Sequence, residues 1–361
     1  MHDAVLAMER GDFAGALKIC GKHESDLLFV ELAARAEFRA GHRAEAMALY
    51  RKLAERAKDA YSSIQAYAAV ADWLVQSGRV EEALGVCEEC VHAHPGSGHA
   101  LPMYRRGLEM VEVLKSGERG LALWRGLTEH FGGRAIGRFA AGELWLREQE
   151  HGQGARDAGP CPLPRLAAHR VGQAPVIDGK PSDSAWQGAG LVRLGQDGGP
   201  DVCVVRVCYD DSALFVLAEV LGGAEEIPGA APAEGEAGRT GEASFELMLS
   251  PWRDGRRGVR MNFEGPGRPG TVLAGTEFRL MGLAAEGGEG KVGIGWLVEM
   301  RIPFAALGRG CPAKGEVWAV NFVRRSSEPA FPFRTVKVLS AWAPMEGEEL
   351  APECAGYLIF R

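Results

Sequence analysis

The spacing of hydrophobic positions changes along the chain from a helical to a strand period. In the first 150 residues apolar side chains recur every three or four positions, as at Leu27, Leu28, Val30, Leu32 and Ala33. This pattern predicts helices at 25–40, 42–58, 60–77, 80–93, 99–116, 118–131 and 135–150. A single amphipathic helix cannot bury its apolar stripe alone, so we expect neighbouring helices to stack as pairs.

The second half is a series of short apolar runs separated by glycine-rich turns. The runs predict strands at 191–194, 201–210, 213–220, 243–250, 259–264, 276–283, 295–302, 317–324, 335–342 and 356–360. Several runs, such as VCVVRVCY and WLVEMRIPF, are apolar on both alternating faces. This is typical of strands that are covered on both sides, as in a sandwich.

Between these halves lies the stretch 174–186, APVIDGKPSDSAW. We interpret Val176-Ile177 as a brief edge strand, Asp178-Gly179 as a turn and Trp186 as a buried anchor. The preceding string HGQGARDAGPCPLPR is rich in glycine and proline and has no periodicity, which favours a linker. The predicted domains are therefore 1–150 (helical), 151–171 (linker) and 172–361 (strands).

The helical half contains an internal repeat in which a glycine precedes an alanine by five residues. The pairs are Gly11/Ala16, Gly41/Ala46, Gly78/Ala83 and Gly117/Ala122. Each glycine is expected to end one helix, and each alanine to let the next helix approach its neighbour. This pattern resembles degenerate tetratricopeptide repeats. The family has an aromatic residue two positions after the glycine, and in this chain only Phe13 supplies it. The resemblance implies an all-α solenoid that holds a protein or peptide partner.

The order of motifs in the second half resembles that of the family 9 carbohydrate-binding modules. The motifs are PVIDG, VRVCYDDSALFVLAEV, FELMLSP, VRMNF, GWLVEMRIPFAAL, GEVWAVNFVRR and SAWAP followed by GYLIF. The resemblance covers about residues 172–361 and implies an all-β, immunoglobulin-like sandwich that binds a glycan without cleaving it. It also suggests an exported or cell-surface bacterial protein. The fold class we expect is thus multidomain, an all-α tetratricopeptide-like solenoid followed by an all-β sandwich.

Five residues are candidates for contacting a sugar. Trp252 follows a strand end beside the charged turn RDGRRG, and Trp342 ends a strand before Pro344. Flat aromatic rings stack on the C–H faces of sugars, and planar polar groups bind the hydroxyls. Arg260 and Asn321 match family positions that carry polar sugar contacts, and we expect Arg324 to lie beside Asn321 in register.

One departure from the resemblance weakens sugar binding. Sugar-binding relatives hold the ring between two tryptophans, one before the FELML-type strand and one before the last strand. At those places this chain has the region 239–242 and the neighbourhood of Glu349, without a tryptophan in either.

Charge and hydropathy restrict the partners. The net charge of −7 and the absence of a basic run argue against a nucleic-acid partner. No apolar stretch reaches the roughly 20 residues that a membrane helix needs. The chain opens in the middle of a helical repeat and has no signal-like region, so we expect the natural chain to begin earlier.

The residue pattern argues against an enzyme and against a cofactor. All nine histidines occur at or before His169, which leaves no Ser/His or Cys/His pair in the second half. Cys87-Glu-Glu-Cys90 lacks a second Cys-x-x-Cys, so no metal site is predicted there. The pair Asp210 and Asp211 leaves a structural calcium open, with an ordinary turn as the alternative.

Three hypotheses follow for the whole chain. The leading one is a non-catalytic carbohydrate-binding protein with a helical scaffold for a protein partner. The alternative is a structural interaction protein whose sandwich has lost sugar binding. A third is a fragment that trails a glycoside hydrolase.

Overall fold

Two compact units divide the chain, Met1–Gly132 and Gly133–Arg361. The computed structural model of the protein describes residues 1–57, 59–150, 160–195, 203–221, 242–264, 269–286, 292–329, 334–346 and 350–361. The described part of the first unit is helical, and that of the second is a β-sandwich with one long helix. The predicted fold class is confirmed.

The first unit is a run of helices in which each packs against the next along the chain. Its α-helices are α1 (His2–Glu9), α2 (Phe13–Cys20), α3 (Leu27–Ala40), α4 (Arg43–Arg56), α5 (Ala60–Gln76), α6 (Val80–Ala93), α7 (Leu101–Leu114) and α8 (Gly117–Phe131). Aspartates begin three of them, since the side chains of Asp12, Asp26 and Asp59 accept hydrogen bonds from backbone N–H groups of the first turn. Each such cap is worth about 1 kcal/mol.

The first three copies of the repeat behave as the sequence predicts. Gly11, Gly41 and Gly78 have φ of +78°, +87° and +75°, a left-handed conformation that favours glycine. The alanines five residues later are at most 1 % exposed; they are Ala16, Ala46 and Ala83. The glycine therefore ends one helix and the alanine buries the start of the next.

The fourth copy lies two residues earlier than predicted. Lys115, not Gly117, takes the left-handed conformation, with φ of +53°. Five residues later Gly120 lies so close to α7 that an added Cβ would be 2.8 Å from Val111 Cγ1. Gly117 is the first residue of α8, and Ala122 is exposed. The left-handed conformation costs a lysine roughly 1–2 kcal/mol. Because a lysine stands here in place of the usual glycine, the glycine pattern did not reveal the true position of this repeat.

The second unit contains the helix α9 (Ala135–Glu150) and eleven described strands. They are β1 (Arg165–Arg170), β2 (Gly190–Leu194), β3 (Cys203–Tyr209), β4 (Ala213–Leu221), β5 (Glu242–Ser250), β6 (Val259–Phe263), β7 (Glu277–Glu286), β8 (Val292–Pro303), β9 (Val317–Pro329), β10 (Arg334–Ala341) and β11 (Gly356–Phe360). Ten of them match predicted strands. The eleventh, β1, was not predicted, because it lies inside the predicted linker 151–171.

The strands form one hydrogen-bonded sheet that folds over at β1 into two facing layers. Residues 165–168 of β1 pair in parallel with β11, and His169 and Arg170 pair in parallel with β3. Layer A has the order β6-β5-β9-β11-β1, with β10 also on β9. Layer B has the order β1-β3-β4-β8-β7, with β2 also on β3.

The main core lies between the two layers and is built from alternate residues of their strands. Aromatic contacts cross it, such as Phe263 of β6 against Phe278 of β7, with ring centres 5.7 Å apart. Tyr209 of β3 packs edge-on against Phe360 of β11 at 5.0 Å. The alternation leaves every second side chain on the outer face of a layer.

The stretch 174–186, here called the outer cap, covers part of the outer face of layer B. Trp186 is 3 % exposed and Ile177 8 % exposed, and both pack on a small cluster that includes Phe215, Leu217 and Leu297. Trp186 is thus the buried anchor that the sequence predicts. The expected edge strand at Val176-Ile177 is not formed, and these residues run as irregular backbone.

A buried carboxylate lies beneath the outer cap. Oε2 of Glu299 on β8 accepts a hydrogen bond of 2.7 Å from the N–H of Gly179, whose φ is +88°. Burial raises the pKa of Glu299 above its usual value, although the Gly179 hydrogen bond acts in the opposite direction. The charges of Asp178 and Asp183 raise this pKa further.

We expect Glu299→Gln to remove a pH dependence of stability. A carboxyl whose pKa is raised in the folded state stabilises that state while protonated, so wild-type stability falls as pH rises through the interval from its unfolded to its folded pKa. The glutamine variant keeps an acceptor for Gly179 and does not titrate. Chemical unfolding of both proteins across the acidic range should show the variant gaining on wild type as pH rises. Parallel curves would contradict this assignment.

Helix α9 belongs to the sandwich unit, whereas the sequence analysis assigned its residues to the helical domain. Phe139 is fully buried, and Gly255 of the β5–β6 turn approaches its ring closely enough for an added Cβ to lie 3.4 Å away. Gly142 likewise leaves room for the hydroxyl of Tyr357, 2.5 Å from where a Cβ would be. The helix therefore covers the outer face of layer A at β11.

Polar contacts hold α9 at both ends of this interface. The hydroxyl of Tyr357 donates a 3.1 Å hydrogen bond to Oε1 of Glu143, which is 1 % exposed. At the N-terminus of the helix, Glu346 accepts hydrogen bonds of 2.9 Å from Nε of Arg134 and from the N–H of Ala135. A carboxylate at this end also complements the helix dipole.

We expect Phe139→Ala to destabilise the sandwich unit by about 3–5 kcal/mol, because it leaves a cavity under α9. The measurement is the unfolding free energy from near-ultraviolet circular dichroism in denaturant. Glu148→Ala, at an exposed position of the same helix, is the control and should change stability by less than about 0.5 kcal/mol. Equal effects of the two changes would show that α9 does not stabilise the unit.

The cysteines are free thiols in the structure, and most are buried. Burial raises the pKa of Cys87 and Cys90 in α6 to about 12. It also raises the pKa of Cys203 and Cys208 in β3 to about 12. Cys203 lies in the main core and Cys208 under the outer cap, so the two point to opposite faces of the strand.

Candidate functional site

The outer face of layer A carries a polar patch on β5, β6 and β9. Phe245, Leu247 and Leu249 of β5 point into the core, so Glu246 and Met248 point outward. The same alternation places Arg260 and Asn262 of β6 on the outer face. We call the set Glu246, Arg260, Asn262 and Arg325 the polar face.

An ion pair lies at the centre of the polar face. Nε of Arg325 on β9 is 2.9 Å from Oε1 of Glu246 on β5. The two side chains are 6 % and 14 % exposed. Arg325 is paired in register with Ser244, so its guanidinium reaches diagonally to the next outward residue of β5. The contact holds the carboxylate in one orientation.

Asn262 stands directly opposite Glu246 in the β5–β6 register. The Cβ atoms of such a pair are about 4.5–5.5 Å apart. Oε2 of Glu246 and Oδ1 of Asn262 are both inaccessible to water and accept no hydrogen bond from the described residues. Two neighbouring acceptors therefore lack donors, and a buried acceptor without a donor costs about 1–3 kcal/mol.

A close backbone approach shapes the polar face beside Asn262. The N–H of Gly270 donates a 2.9 Å hydrogen bond to the carbonyl of Asn262, and the N–H of Asn262 donates to the carbonyl of Thr271 at 2.8 Å. A Cβ on Gly270 would lie 3.2 Å from Nδ2 of Asn262. Glycine at this position therefore lets the chain fold over β6 without displacing the amide.

Of the five predicted sugar contacts, the structure brings Arg260 to the polar face. Arg260 is exposed and precedes Asn262 by two residues on the same side of β6. It lies opposite Met248 in register, one outward position from Glu246.

Asn321 is on the outer face of β9 but is buried, with 0 % exposure. Its Nδ2 donates hydrogen bonds to the carbonyls of Ala343 and Cys354, at 3.1 and 2.5 Å. Its Oδ1 accepts from the N–H groups of Phe322 and Ala343, each at 2.9 Å. The amide is fully used in joining Ala343 and Cys354 to β9 and in accepting from Phe322, so its predicted role as a sugar contact does not fit its position.

Arg324 is also buried, at 1 % exposure, and it points into the main core rather than outward. It shares the inward side of β9 with Phe322, whereas Asn321, three residues away, lies on the opposite face of the strand. Its charge lowers the pKa of the Cys203 thiol, although burial raises that pKa more strongly. The predicted surface role of Arg324 therefore does not fit the structure either.

The two candidate tryptophans are packed rather than open. The guanidinium of Arg257 lies 5.2 Å above the ring of half-buried Trp252. Trp342 packs against Phe322 at 5.8 Å and against Gly356, at the edge of the main core. None of these contacts places either ring beside the polar face.

The positions at which relatives carry their pair of tryptophans fall mainly outside the described residues. Of those regions of this chain, 239–241 and 347–349 are not described.

The sequence analysis missed Glu246, Asn262 and Arg325 as site residues. Asn262 could have been found from Arg260, because residues two apart on a strand share a face. Glu246 then follows from the register of the β5–β6 hairpin, which the predicted strand limits did not fix. Arg325 required knowing that it points outward while Arg324 points inward.

The described residues can be examined for a metal site and for a membrane-spanning helix. Among these residues no group of three or more His, Cys, Asp or Glu side chains is placed to hold a metal ion. Oδ1 of Asp210 accepts hydrogen bonds from the N–H groups of Ser212 and Ala213, as in an ordinary turn. In the same part of the chain no helix combines the length and the apolarity needed to cross a membrane.

Comparison with known proteins finds similarity only in solved structures. No family model and no curated protein matches the chain. A family 9 carbohydrate-binding module from Caldicellulosiruptor kristjanssonii in complex with cellotriose matches with 18 % identity over 55 % of this chain and 94 % of that chain, at a TM-score of 0.39. A putative carbohydrate-binding protein from Bacteroides uniformis matches with 17 % identity over 55 % and 99 %, at 0.35. MamA from Desulfovibrio magneticus RS-1 matches with 16 % identity over 42 % and 83 %, at 0.26.

We expect Asn321→Leu to lower the unfolding free energy by about 2–4 kcal/mol, because it leaves buried backbone groups of Ala343 and Cys354 without partners. Arg260→Ala, at an exposed position of the same layer, should change it by less than about 0.5 kcal/mol. Denaturant unfolding of both variants is the measurement. A stable Asn321 variant would return this residue to the list of candidate ligand contacts.

Proposed function

We propose that this is a non-catalytic carbohydrate-binding protein whose polar face contacts the sugar and whose helical unit is a scaffold for a protein partner. The observation that carries the proposal is the pair of facing acceptors, Oε2 of Glu246 and Oδ1 of Asn262, which accept no hydrogen bond from the described residues. A glycan is also the ligand that the order of sequence motifs predicts.

The chemistry of the polar face suits sugar hydroxyls. Each hydroxyl carries one donor and two acceptor positions. Once a side-chain rotation has turned the two buried oxygens toward the surface, neighbouring hydroxyls of one ring can donate to the carboxylate and to the amide oxygen together. The carboxylate is held by Arg325, which orients it for a charge-assisted hydrogen bond. Arg260, exposed on the same face, adds a planar donor for a further hydroxyl.

The same geometry predicts weak binding. Trp252 is stacked by Arg257, and Trp342 is packed on Phe322. Recognition by the described residues would therefore depend on hydrogen bonds, which compete with water and contribute little net free energy each. We expect dissociation constants in the millimolar range, which correspond to a binding free energy of about −4 kcal/mol.

The packing of the two tryptophans also favours a second candidate function. In a structural interaction protein, the sandwich would be a packing partner and the polar face would bind no sugar. This alternative accounts for the covered tryptophan rings. It does not account for the unsatisfied acceptors of Glu246 and Asn262.

Binding of glucose and cellobiose is the test, followed by two-dimensional NMR of the labelled full chain at millimolar sugar. We expect Glu246→Gln to weaken binding about tenfold, because it replaces a charge-assisted acceptor by a neutral amide. Arg279→Ala, exposed on β7 of layer B, is the matched control and should leave the affinity unchanged.

Either of two results would reject the sugar-binding proposal. One is the absence of any sugar-dependent shift with the fold intact, which leaves the structural alternative. The other is binding that Glu246→Gln does not weaken, which would place the sugar elsewhere on the protein.

A further inference from the structure

A groove of about 410 Å³ lies in the helical unit between α4 and α6. We call it the α4–α6 groove. Its apolar lining includes Ala44, Met47 and Ala48 of α4 together with Trp73 of α5. Its size is within the range of sites that hold a small ligand or a few side chains of a peptide.

Three cations line the α4–α6 groove. Arg51 and Lys52 lie one after the other on α4, and neither has an ion-pair partner among the described residues. Arg79, at the start of α6, is held in place by a two-point contact with Glu82, with both distances 2.5 Å. Its guanidinium lies 5.4 Å above the ring of Trp73.

The cations of α4 face the acidic residue of α6. The pKa of Glu82 is lowered, first by its hydrogen bond from Arg79 and further by the charges of Arg79 and Arg51. Glu82 thus offsets part of the charge of Arg79. Arg51 and Lys52 remain as the positive charges on the other side, with Glu55 as the one carboxylate among the residues that line the groove.

A second, independent feature points to an acceptor-bearing ligand. Nε1 of Trp73 is inaccessible to water and donates no hydrogen bond to the described residues. The indole N–H is a donor only, and buried indole groups usually find an acceptor. The ligand that completes this arrangement supplies a negative charge for Arg51 and Lys52 and, once the ring has rotated to turn its N–H into the groove, an acceptor for the indole.

We infer that the α4–α6 groove binds an acidic peptide segment in which a carboxylate side chain stands next to an apolar one. This inference rests on the proposed scaffold role of the helical unit and specifies its partner. The carboxylate would be held by Arg51 and Lys52, and the apolar side chain would cover Met47 and the exposed edge of the Trp73 ring. A peptide carbonyl or carboxylate oxygen would accept from the indole N–H.

A peptide fits the groove better than a nucleic-acid or other polyanionic chain. The apolar lining stabilises a bound hydrophobic side chain by burying its surface, and a phosphate backbone has no such side chain. Glu55 and Glu82 beside the cations repel a continuous line of negative charge, and the protein as a whole carries a net charge of −7. An isolated carboxylate between apolar groups avoids both penalties.

The neighbouring groove between α6 and α8 provides an internal comparison. It has a volume of about 710 Å³ and an apolar lining that includes Leu123 and Tyr104. Its carboxylates are Glu88, which is paired with Arg119, and Glu89, with His92 and His130 as further polar groups. Because its charge is opposite to that of the α4–α6 groove, an acidic peptide should discriminate between the two.

The test uses the full chain and three dye-labelled ten-residue peptides followed by fluorescence anisotropy. The acidic probe alternates leucine with aspartate and glutamate; the neutral probe has asparagine and glutamine instead, and the basic probe lysine. We expect the acidic probe to bind at least tenfold more tightly than the neutral probe, and the basic probe not to bind this groove.

Variants locate the site. Arg51→Ala combined with Lys52→Ala should weaken binding of the acidic probe about tenfold, and Trp73→Phe about threefold, because it keeps a ring and removes the N–H. Arg125→Ala, an exposed arginine of α8, is the matched control and should have no effect. In NMR spectra the indole N–H resonance that Trp73→Phe removes should shift when the acidic probe is added.

The outcomes separate this inference from sugar binding. Equal affinity for the acidic and neutral probes, or an unchanged affinity in the Arg51/Lys52 double variant, overturns the α4–α6 groove as an acidic-peptide site. Tighter binding of polyphosphate than of the acidic probe overturns the peptide as occupant. If Trp73→Phe fails to fold, the surface double variant still decides. The glucose titration on the same sample reports the sandwich separately, so either proposal can fail alone.

Discussion

The change of partner along β1 is the constraint on which the sandwich depends. Four residues of this strand pair with β11 and the last two with β3, so the sheet must turn through it to continue. The turn lets Leu166 and Ala168 enter the main core. The chain end is joined to the same point, since the N–H of Arg361 donates to the carbonyl of Ala168 and the hydroxyl of Tyr209 donates to the carbonyl of Arg361. Both layers are therefore fixed from one short strand.

Once the inner faces are buried, the outer faces decide where a ligand can bind. The outer cap covers part of layer B through Trp186, and α9 covers layer A at Tyr357. The backbone at Ala343 and Cys354 covers β9 at Asn321. Among the described residues of layer A, the polar face on β5 and β6 is not covered by these three elements. Its acceptors differ from those of Asn321 in one respect: the protein supplies donors to Asn321 and none to Glu246 Oε2 or Asn262 Oδ1.

Sequence reasoning succeeded where the signal is local. Helices with a strong 3.6-residue period and strands bounded by glycine were placed within a few residues. Arg260, chosen from its motif, lies on the polar face, and its role as a sugar contact stays a prediction. It failed where the cause is distant in sequence or unusual. The short β1 was hidden in a glycine- and proline-rich stretch, because its pattern becomes meaningful only beside β11 and β3. Lys115 hid the fourth repeat by adopting a conformation that glycine normally takes. Asn321 and Arg324 were chosen by motif position, yet their burial depends on a loop and on a strand face that the motif does not encode.

The four thiols with a pKa of about 12 have a practical consequence. At neutral pH a thiol of this kind is almost entirely protonated and therefore a poor nucleophile. An alkylating reagent would modify it only after the surrounding structure opens, so the rate of modification measures opening rather than chemical reactivity. Cys87 and Cys90 report on the helical unit, and Cys203 and Cys208 on the sandwich. Each unit thus contains its own pair of buried thiols, whose rates of modification report how often that unit opens.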